Sequence, residues 1–179
     1  MPRETVMAAI GLTIIDSWKM YWGEFREDWL AEYREKFRGE ERKMLRLFPD
    51  TVPTLDALRG AGVKTGLVSN RQFARNPAEY LGIADKFDVI IGLEDVAHAK
   101  PDPEPLLTAL SRLGVEAAQA VYVGDTDIDM NTAAAAGVRG IGVTTGNSAR
   151  SSISRRARGT CAHISPRSAS LRSRAAQVI

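Results

Sequence analysis

Hydrophobic residues recur every three or four positions in the first quarter of the chain, which is the spacing of one face of a helix. Between residues 3 and 47 this stripe is largely aromatic and comprises Trp18, Trp22, Phe25, Trp29, Tyr33 and Phe37. Glu, Arg and Lys fill most other positions from 24 to 43, as on the solvated sides of helices. We predict helices here, divided at Gly23, whose aromatic stripe forms the core of a small helical bundle.

Beyond residue 48 the pattern changes to short apolar runs that alternate with amphipathic stretches. The sequence predicts strands at 63–70, 87–92, 120–124 and 138–143, and helices at 51–59, 77–82, 104–113 and 131–137. In the first of these helices Thr51 stands at the capping position, and Val52, Leu55 and Leu58 share one side. Strands that alternate with helices at this spacing indicate an α/β fold with a parallel, doubly wound sheet.

Three aspartates follow the strand predicted at 120–124. Asp125, Asp127 and Asp129 stand where that strand ends and an alanine-rich segment begins. Ligands of open α/β sheets bind at the carboxyl ends of the strands. Mg2+ is usually held there by one or two carboxylates together with a substrate phosphate. Because one acid is enough to cap a helix, three acids favour a Mg2+ site over a capping role.

Two other segments carry groups that suit a phosphate. Ser69 and Asn70 end the strand predicted at 63–70 and offer a hydroxyl, an amide and backbone N–H groups. Lys100 precedes three prolines within five residues, and these restrict the directions in which its ammonium group can point. Each signal alone is also typical of an ordinary turn or an exposed loop. Together with the aspartates they predict a phosphate site.

These motifs resemble those of the haloacid dehalogenase superfamily, specifically its phosphoglycolate-phosphatase-like branch. Leu67-Val68-Ser69-Asn70 resembles the second family motif, Lys100 with Pro101 and Pro103 the third, and Gly124-Asp125-Thr126 with Asp129 the fourth. The resemblance covers residues 4–146, approximately. It implies a Rossmannoid parallel sheet with a helical cap, with part of the cap at 1–47 and the α/β core at 48–146.

The resemblance also implies a Mg2+-dependent phosphatase. Such an enzyme hydrolyses a small phosphorylated metabolite, for example phosphoglycolate or a sugar phosphate, through an aspartyl-phosphate. By this resemblance Ser69 and Lys100 are catalytic, Ser69, Asn70 and Lys100 bind the phosphate, and Asp125, backed by Asp129, ligates the metal. The cap closes over the site and excludes water. The particular ester and the oligomeric state stay open.

The nucleophile motif of this family, Asp-x-Asp-Gly-Thr on the first and central strand, does not occur in these 179 residues. Asp16 does not replace it, because Trp18 stands at the position of the second aspartate and no Gly-Thr follows. We read Asp16 as a helix-cap or surface acid. We therefore expect impaired catalysis and weaker Mg2+ binding. The alternative function is a non-catalytic pseudoenzyme that binds phosphate or a polyanion.

The missing motif also affects the predicted sheet, because in this family it lies on the central strand. Without that strand, the strands ending at Ser69 and Gly124 must pair directly or leave unpaired backbone groups.

Charge is distributed unevenly along the chain. All 22 acidic residues and 16 of the 24 basic residues lie at or before Asp129, so residues 1–129 have a net charge of −6. The other eight basic residues, all Arg, give residues 130–179 a net charge of +8. From 147 to 179 the chain is rich in Arg and Ser and has no sustained helical or strand period. Three interpretations of this segment stay open: a disordered tail, a polyanion-binding segment or a shift of reading frame near Ser148. We favour the frame shift, with disorder as its structural result.

Composition excludes several other classes of protein. The sequence has no apolar run of membrane-spanning length and no signal peptide at its start. Cys161 is the only cysteine, which excludes a disulfide framework and a cysteine-based zinc site. We expect a cytoplasmic protein with no membrane partner. Nucleic acid is not expected either, since the basic tail is the only hint of it and lacks aromatic residues for stacking. Cys161 and His163 are incidental, and His98 is a loop residue.

Overall fold

The computed structural model describes residues 2–143 and 177–178. Within them the helices are α1 (Arg3–Ala8), α2 (Ile14–Trp22), α3 (Glu27–Met44), α4 (Thr51–Gly60), α5 (Arg75–Tyr80), α6 (Glu104–Leu113) and α7 (Asp127–Ala135). The strands are β1 (Gly66–Val68), β2 (Val89–Ile91), β3 (Ala120–Gly124), β4 (Arg139–Gly142) and β5 (Gln177–Val178). The predicted alternation of strands and helices is confirmed. None of these helices combines the length and the apolar character that crossing a membrane requires.

Short-range signals set both ends of α2. Thr13 precedes the helix, and its side chain accepts a hydrogen bond from the backbone N–H of Asp16. The Thr13 hydroxyl also donates to the Asp16 carboxylate at 2.7 Å. Gly23 ends the helix in the left-handed region, with a φ of 78°, which glycine adopts without strain. The division at Gly23 and the reading of Asp16 as an acid at a helix start are both confirmed.

The aromatic stripe is shared between α2, α3 and the turn that joins them. The ring centroid of Trp18 lies 5.7 Å from that of Trp22, 6.3 Å from that of Trp29 and 5.6 Å from that of Tyr33. Trp18 is buried, whereas Trp22 leaves 54% of its surface exposed. The predicted core therefore holds for Trp18 but is wrong for Trp22 and for Tyr33, which is also exposed. Two facing helices bury only the side chains between them, and Trp22 is the last residue of α2.

The strands form two separate parallel sheets. β1 pairs with β2, and β3 lies between β4 and β5. Within the described residues no ladder joins β1 to β3, so these strands do not pair directly. β5 pairs with the start of β3, with Ala120 opposite Gln177 and Val121 opposite Val178. These two tail residues therefore form a strand rather than the expected disorder, because the edge of β3 offers backbone partners. The rest of the tail, including the frame shift predicted near Ser148, lies outside the described residues.

Helix α6 packs against β1 and β2, and its limits are those the sequence predicts. Its buried residues Leu106, Ala109, Leu110 and Leu113 belong to one hydrophobic cluster with residues of β1, β2, β3 and α7. Val68 at the end of β1 and Tyr122 in β3 are both in this cluster. The common apolar layer therefore holds the two sheets side by side, so that loops following β1 and β3 reach the same cavity.

Three helices differ in detail at their starts from the sequence prediction, and α5 begins at Arg75 rather than at residue 77. α4 begins at Thr51 itself with Asp50 before it, so Thr51 is not the capping residue, although Val52, Leu55 and Leu58 do share the more buried side. α7 begins at Asp127 rather than at residue 131. Thr126 and Asp129 form a capping box, and Asp127 and Asp129 lie in the first turn of the helix, whereas Asp125 precedes it.

Candidate active site

A cavity of about 1240 Å³ lies at the carboxyl ends of β1 and β3 and is also bounded by residues of α2 and α3. The residues that line it include every site residue predicted from the sequence, namely Ser69, Asn70, Lys100, Asp125 and Asp129. The tertiary structure therefore brings together three motifs that are far apart in the chain. The roles assigned to the individual residues stay predictions. The hydrogen bonds and burial of each residue indicate which contacts with a phosphate or a metal it can make.

Asp129 is buried and accepts four hydrogen bonds. Its Oδ1 accepts from Lys100 Nζ at 2.7 Å and from the Tyr122 hydroxyl at 3.1 Å. Its Oδ2 accepts from the Thr126 backbone N–H at 3.1 Å and from the Thr126 hydroxyl at 2.6 Å. Burial acts to raise the pKa of Asp129, but the Lys100 charge and these hydrogen bonds outweigh burial and lower it. Asp129 is therefore held as a carboxylate.

Lys100 is the counter-charge of Asp129, and only 9% of its side chain is exposed. Its Nζ donates to Asp129 Oδ1 at 2.7 Å, to the Tyr122 hydroxyl at 2.9 Å and to the Val68 carbonyl at 3.3 Å. An ammonium group has three donors, so a phosphate must displace one of these partners to bind Lys100 directly. The contact with Val68, at the end of β1, is the longest and the one we expect a phosphate to displace.

Asn70 ties three segments together. Its Nδ2 donates to the carbonyls of Gly11 at 2.9 Å and Lys100 at 2.8 Å, and its Oδ1 accepts from the Lys100 backbone N–H at 2.8 Å. Both amide protons are thus engaged within the protein. Because the side-chain amide has no proton left for a phosphate, the predicted contact of Asn70 with phosphate is limited to its backbone N–H. The side chain instead positions the Lys100 loop beside the end of β1.

Ser69 directly follows β1, and its backbone N–H donates to the Ile91 carbonyl at 3.0 Å. Its hydroxyl oxygen accepts from the backbone N–H of Arg71 at 3.2 Å. A hydroxyl has one donor besides its acceptor lone pairs, so this contact fixes the oxygen without using its proton. The Ser69 hydroxyl is therefore suited to donate to a phosphate oxygen in the cavity.

Asp125 follows β3 and faces the same cavity, where it is half-buried. Burial and the charge of Asp129 raise its pKa, against the opposite effect of Lys100. A nearby cation would offset this unfavourable environment for the charged carboxylate. Mg2+ commonly takes one or two carboxylates together with water and phosphate oxygens. The donor set fits Mg2+ with Asp125 as a direct ligand, whereas Asp129 could ligate only by giving up one of its four contacts.

A second group of potential ligand atoms lies on His98 and Asp102 in the proline-rich loop and on Glu104 at the start of α6, within 4.8 Å of one another. The Glu104 carboxylate accepts from the backbone N–H groups of Ala97 and His98, and Asp102 accepts from the backbone N–H of Glu104. These contacts within the loop account for the grouping. They agree with the reading of His98 as a loop residue.

Comparison with known proteins identifies the family. Residues 1–143 match the haloacid dehalogenase-like hydrolases. The chain belongs to this family. A solved haloacid dehalogenase-like hydrolase from Bacteroides fragilis is 35% identical, with a TM-score of 0.74, over 88% of this chain and 78% of that protein. The family resemblance and the fold class inferred from the motifs are thereby confirmed.

Curated relatives of this haloacid dehalogenase-like chain include phosphoglycolate phosphatases. The enzyme of Salmonella typhi is 45% identical over 120 residues, which are 65% of this chain and 48% of that protein. That of Escherichia coli strain K12 is 42% identical over 102 residues, which are 56% of this chain and 40% of that protein. The chain thus spans half the length of these relatives or less.

Sequence reasoning missed two contributors to this haloacid dehalogenase-like site. Tyr122 contacts both Lys100 and Asp129 through its hydroxyl, and burial followed by the Asp129 charge raises its pKa. Within an apolar strand nothing distinguishes Tyr122 from a core residue. Thr126 could have been found, because Thr-x-x-Asp is a capping-box pattern. Gly124 is required by close approach, since a Cβ there would lie 2.3 Å from the Cβ of Asp129.

Proposed function

We propose that this chain carries the phosphate- and Mg2+-binding part of a phosphatase site for a small phosphomonoester, with phosphoglycolate as the first candidate substrate. The observation that carries the proposal is the convergence of Ser69, Lys100 and Asp125 on one cavity. The names of the curated relatives support the choice of ester.

In the proposed site each group has a separate task. The Ser69 hydroxyl donates to one phosphate oxygen, and Lys100 places its positive charge beside another. Asp125 would hold Mg2+, which when bound supplies positive charge that neutralises the phosphate oxygens. Asp129 and Tyr122 keep the Lys100 ammonium in place through their hydrogen bonds. Residues of α2 and α3 also line the cavity and would exclude water from a bound ester.

We propose further that the 179 residues bind such an ester without turning it over. The family reaction needs a nucleophilic aspartate followed by a second aspartate as acid and base, and Asp-x-Asp-Gly-Thr is absent from the sequence. Binding and turnover are therefore separate expectations and need separate measurements.

Binding is tested by titrating 2-phosphoglycolate into the full chain in a calorimeter, with and without Mg2+. We expect Mg2+-dependent binding that Ser69→Ala and Asp125→Asn each weaken by about tenfold or more, the effect of losing a hydrogen bond to a charged group or a metal ligand. Asp85→Asn is the matched control, because Asp85 is exposed and is not a lining residue. Binding that ignores Mg2+ and survives both site substitutions would refute the proposed site.

Turnover is tested by phosphate release from an aryl phosphate with Mg2+. Release that Asp125→Asn abolishes would show that the chain is an active enzyme and would overturn the impairment we propose. The pseudoenzyme alternative has its own signature. It would give salt-sensitive binding of RNA that disappears when residues 147–179 are deleted, with no turnover.

A further inference from the structure

Arg71 lies on the cavity wall beside the predicted phosphate site. Its backbone N–H donates to the Ser69 hydroxyl oxygen at 3.2 Å, which fixes the two residues within one tight turn. Residues two positions apart are separated by at most about 7 Å between Cα atoms. The Arg71 side chain therefore starts close to the place where a phosphate would bind, and it lines the same cavity.

The guanidinium group of Arg71 is anchored on one side by a buried acid. Its Nη1 forms an ion pair with Oε1 of Glu41 in α3, whose side chain is only 8% exposed. A buried carboxylate is costly unless it is paired, so Glu41 holds Arg71 firmly. A guanidinium has five N–H donors, and 42% of the Arg71 side chain is exposed. It can therefore receive a second anion from the cavity while keeping Glu41.

The other cations that line the cavity are less suited to this task. Among the described lining residues these are Lys100 and Arg34. Lys100 already donates to three partners around Asp129 and belongs to the phosphate site. Arg34 projects from α3 and donates to the side chain of Gln72. Arg71 alone among them combines a partly exposed side chain, a buried anchoring acid and a direct backbone contact with Ser69.

We propose that Arg71 is the specificity-determining residue of the site and that it recognises a carboxylate on the substrate. The inference rests on the proposed phosphatase site and adds to it. A substrate held at Ser69 by its phosphate would extend a carboxylate towards Arg71, whose planar fork matches a carboxylate in a bidentate contact. The substrate class is then a phosphorylated small acid rather than a neutral sugar phosphate. A neutral ester would leave the guanidinium donors without an anion, which selects against it.

The test compares two esters that differ only at this end, 2-phosphoglycolate and ethyl phosphate. Their affinities for the full chain are measured by calorimetry with Mg2+. We expect the wild-type chain to prefer phosphoglycolate by about 10- to 100-fold, the effect of hydrogen bonds to a charged group. Arg71→Gln should remove this preference and leave ethyl phosphate affinity within about twofold. Arg71→Lys should retain only part of it, because an ammonium lacks the fork.

Two arginines serve as controls. Arg75→Gln changes the same residue type four positions along the chain, outside the cavity lining, and should keep the full preference. Arg34→Gln should also keep it. A loss of preference with Arg34→Gln but not with Arg71→Gln would overturn the proposal. Because Arg71→Gln unpairs a buried Glu41, its fold is checked by circular dichroism. If that variant is unfolded, Arg71→Lys decides, and an undiminished preference there overturns the proposal.

Failure of this inference is distinguishable from failure of the proposed function. A wild-type chain that binds both esters equally well, with Mg2+ dependence, would refute the role of Arg71 and leave the phosphate site standing. A folded Arg71→Gln variant that binds neither ester would place Arg71 in the phosphate site and also overturn the role in specificity. A wild-type chain that binds neither ester nor inorganic phosphate would refute the phosphate site itself, and with it this inference.

Discussion

Replacing Asp129 by asparagine tests how the site is held together. Asp129 accepts four hydrogen bonds, from Lys100, Tyr122 and twice from Thr126, whereas an asparagine has one acceptor oxygen. Its amide group would meet donors instead, and Lys100, with only 9% of its side chain exposed, would lose its counter-charge. Breaking a buried ion pair by removing one partner costs about 3–5 kcal/mol. We expect Asp129→Asn to lower the free energy of unfolding by that amount.

The assay is a double-mutant cycle with Lys100→Met, followed by urea unfolding at neutral pH. Each single substitution leaves the other charge buried without its partner, while the double variant leaves neither. We therefore expect the double variant to be about 2–3 kcal/mol more stable than the sum of the single effects predicts. The exposed pair Lys36–Glu32 in α3 provides the matched control cycle, with a coupling below about 1 kcal/mol. Additivity within about 0.5 kcal/mol for Lys100 and Asp129 would refute the reasoning.

Three further predictions concern the same turn. Thr126→Ala removes the capping side chain of α7 and should lower the free energy of unfolding by about 1–2 kcal/mol. Thr126→Ser keeps a capping hydroxyl and should retain most of that stability. Equal losses for the two variants in thermal unfolding would contradict the capping role. Gly124→Ala places a Cβ 2.3 Å from that of Asp129 and should lower the free energy of unfolding by about 1–3 kcal/mol. In the control Gly39→Ala the new Cβ meets open space in α3, and this variant should be more stable than wild type by about 0.5–1 kcal/mol. Because the pKa of Asp129 is lowered in the folded chain, its stabilisation is present above its unfolded pKa of about 4 and is lost as pH falls through the folded value. The stability difference between wild type and Asp129→Asn should therefore be constant near neutral pH and shrink in acid; a difference that grows in acid would refute the assignment.

Local patterns in the sequence were enough for much of the fold. The limits of α6 and β3 agree with their prediction residue for residue, because hydrophobic period and glycine stops are properties of a few neighbouring residues. The five residues that the sequence predicts as site residues all line one cavity, because polar motif residues at the ends of parallel strands can be recognised by type and position. Their individual roles stay predictions. The same local information placed the division at Gly23.

Only the tertiary structure decided which partners these residues have. The engagement of Asn70 with Gly11 and Lys100, the contact of Tyr122 with Asp129 and the pairing of Arg71 with Glu41 join residues that are seven to 59 positions apart. The exposure of Trp22 and the pairing of β5 with β3 are likewise set by what other segments cover. A residue's type and spacing fix what it can donate or accept. The packing of distant segments fixes which of those capacities are already used, and therefore which groups face the cavity.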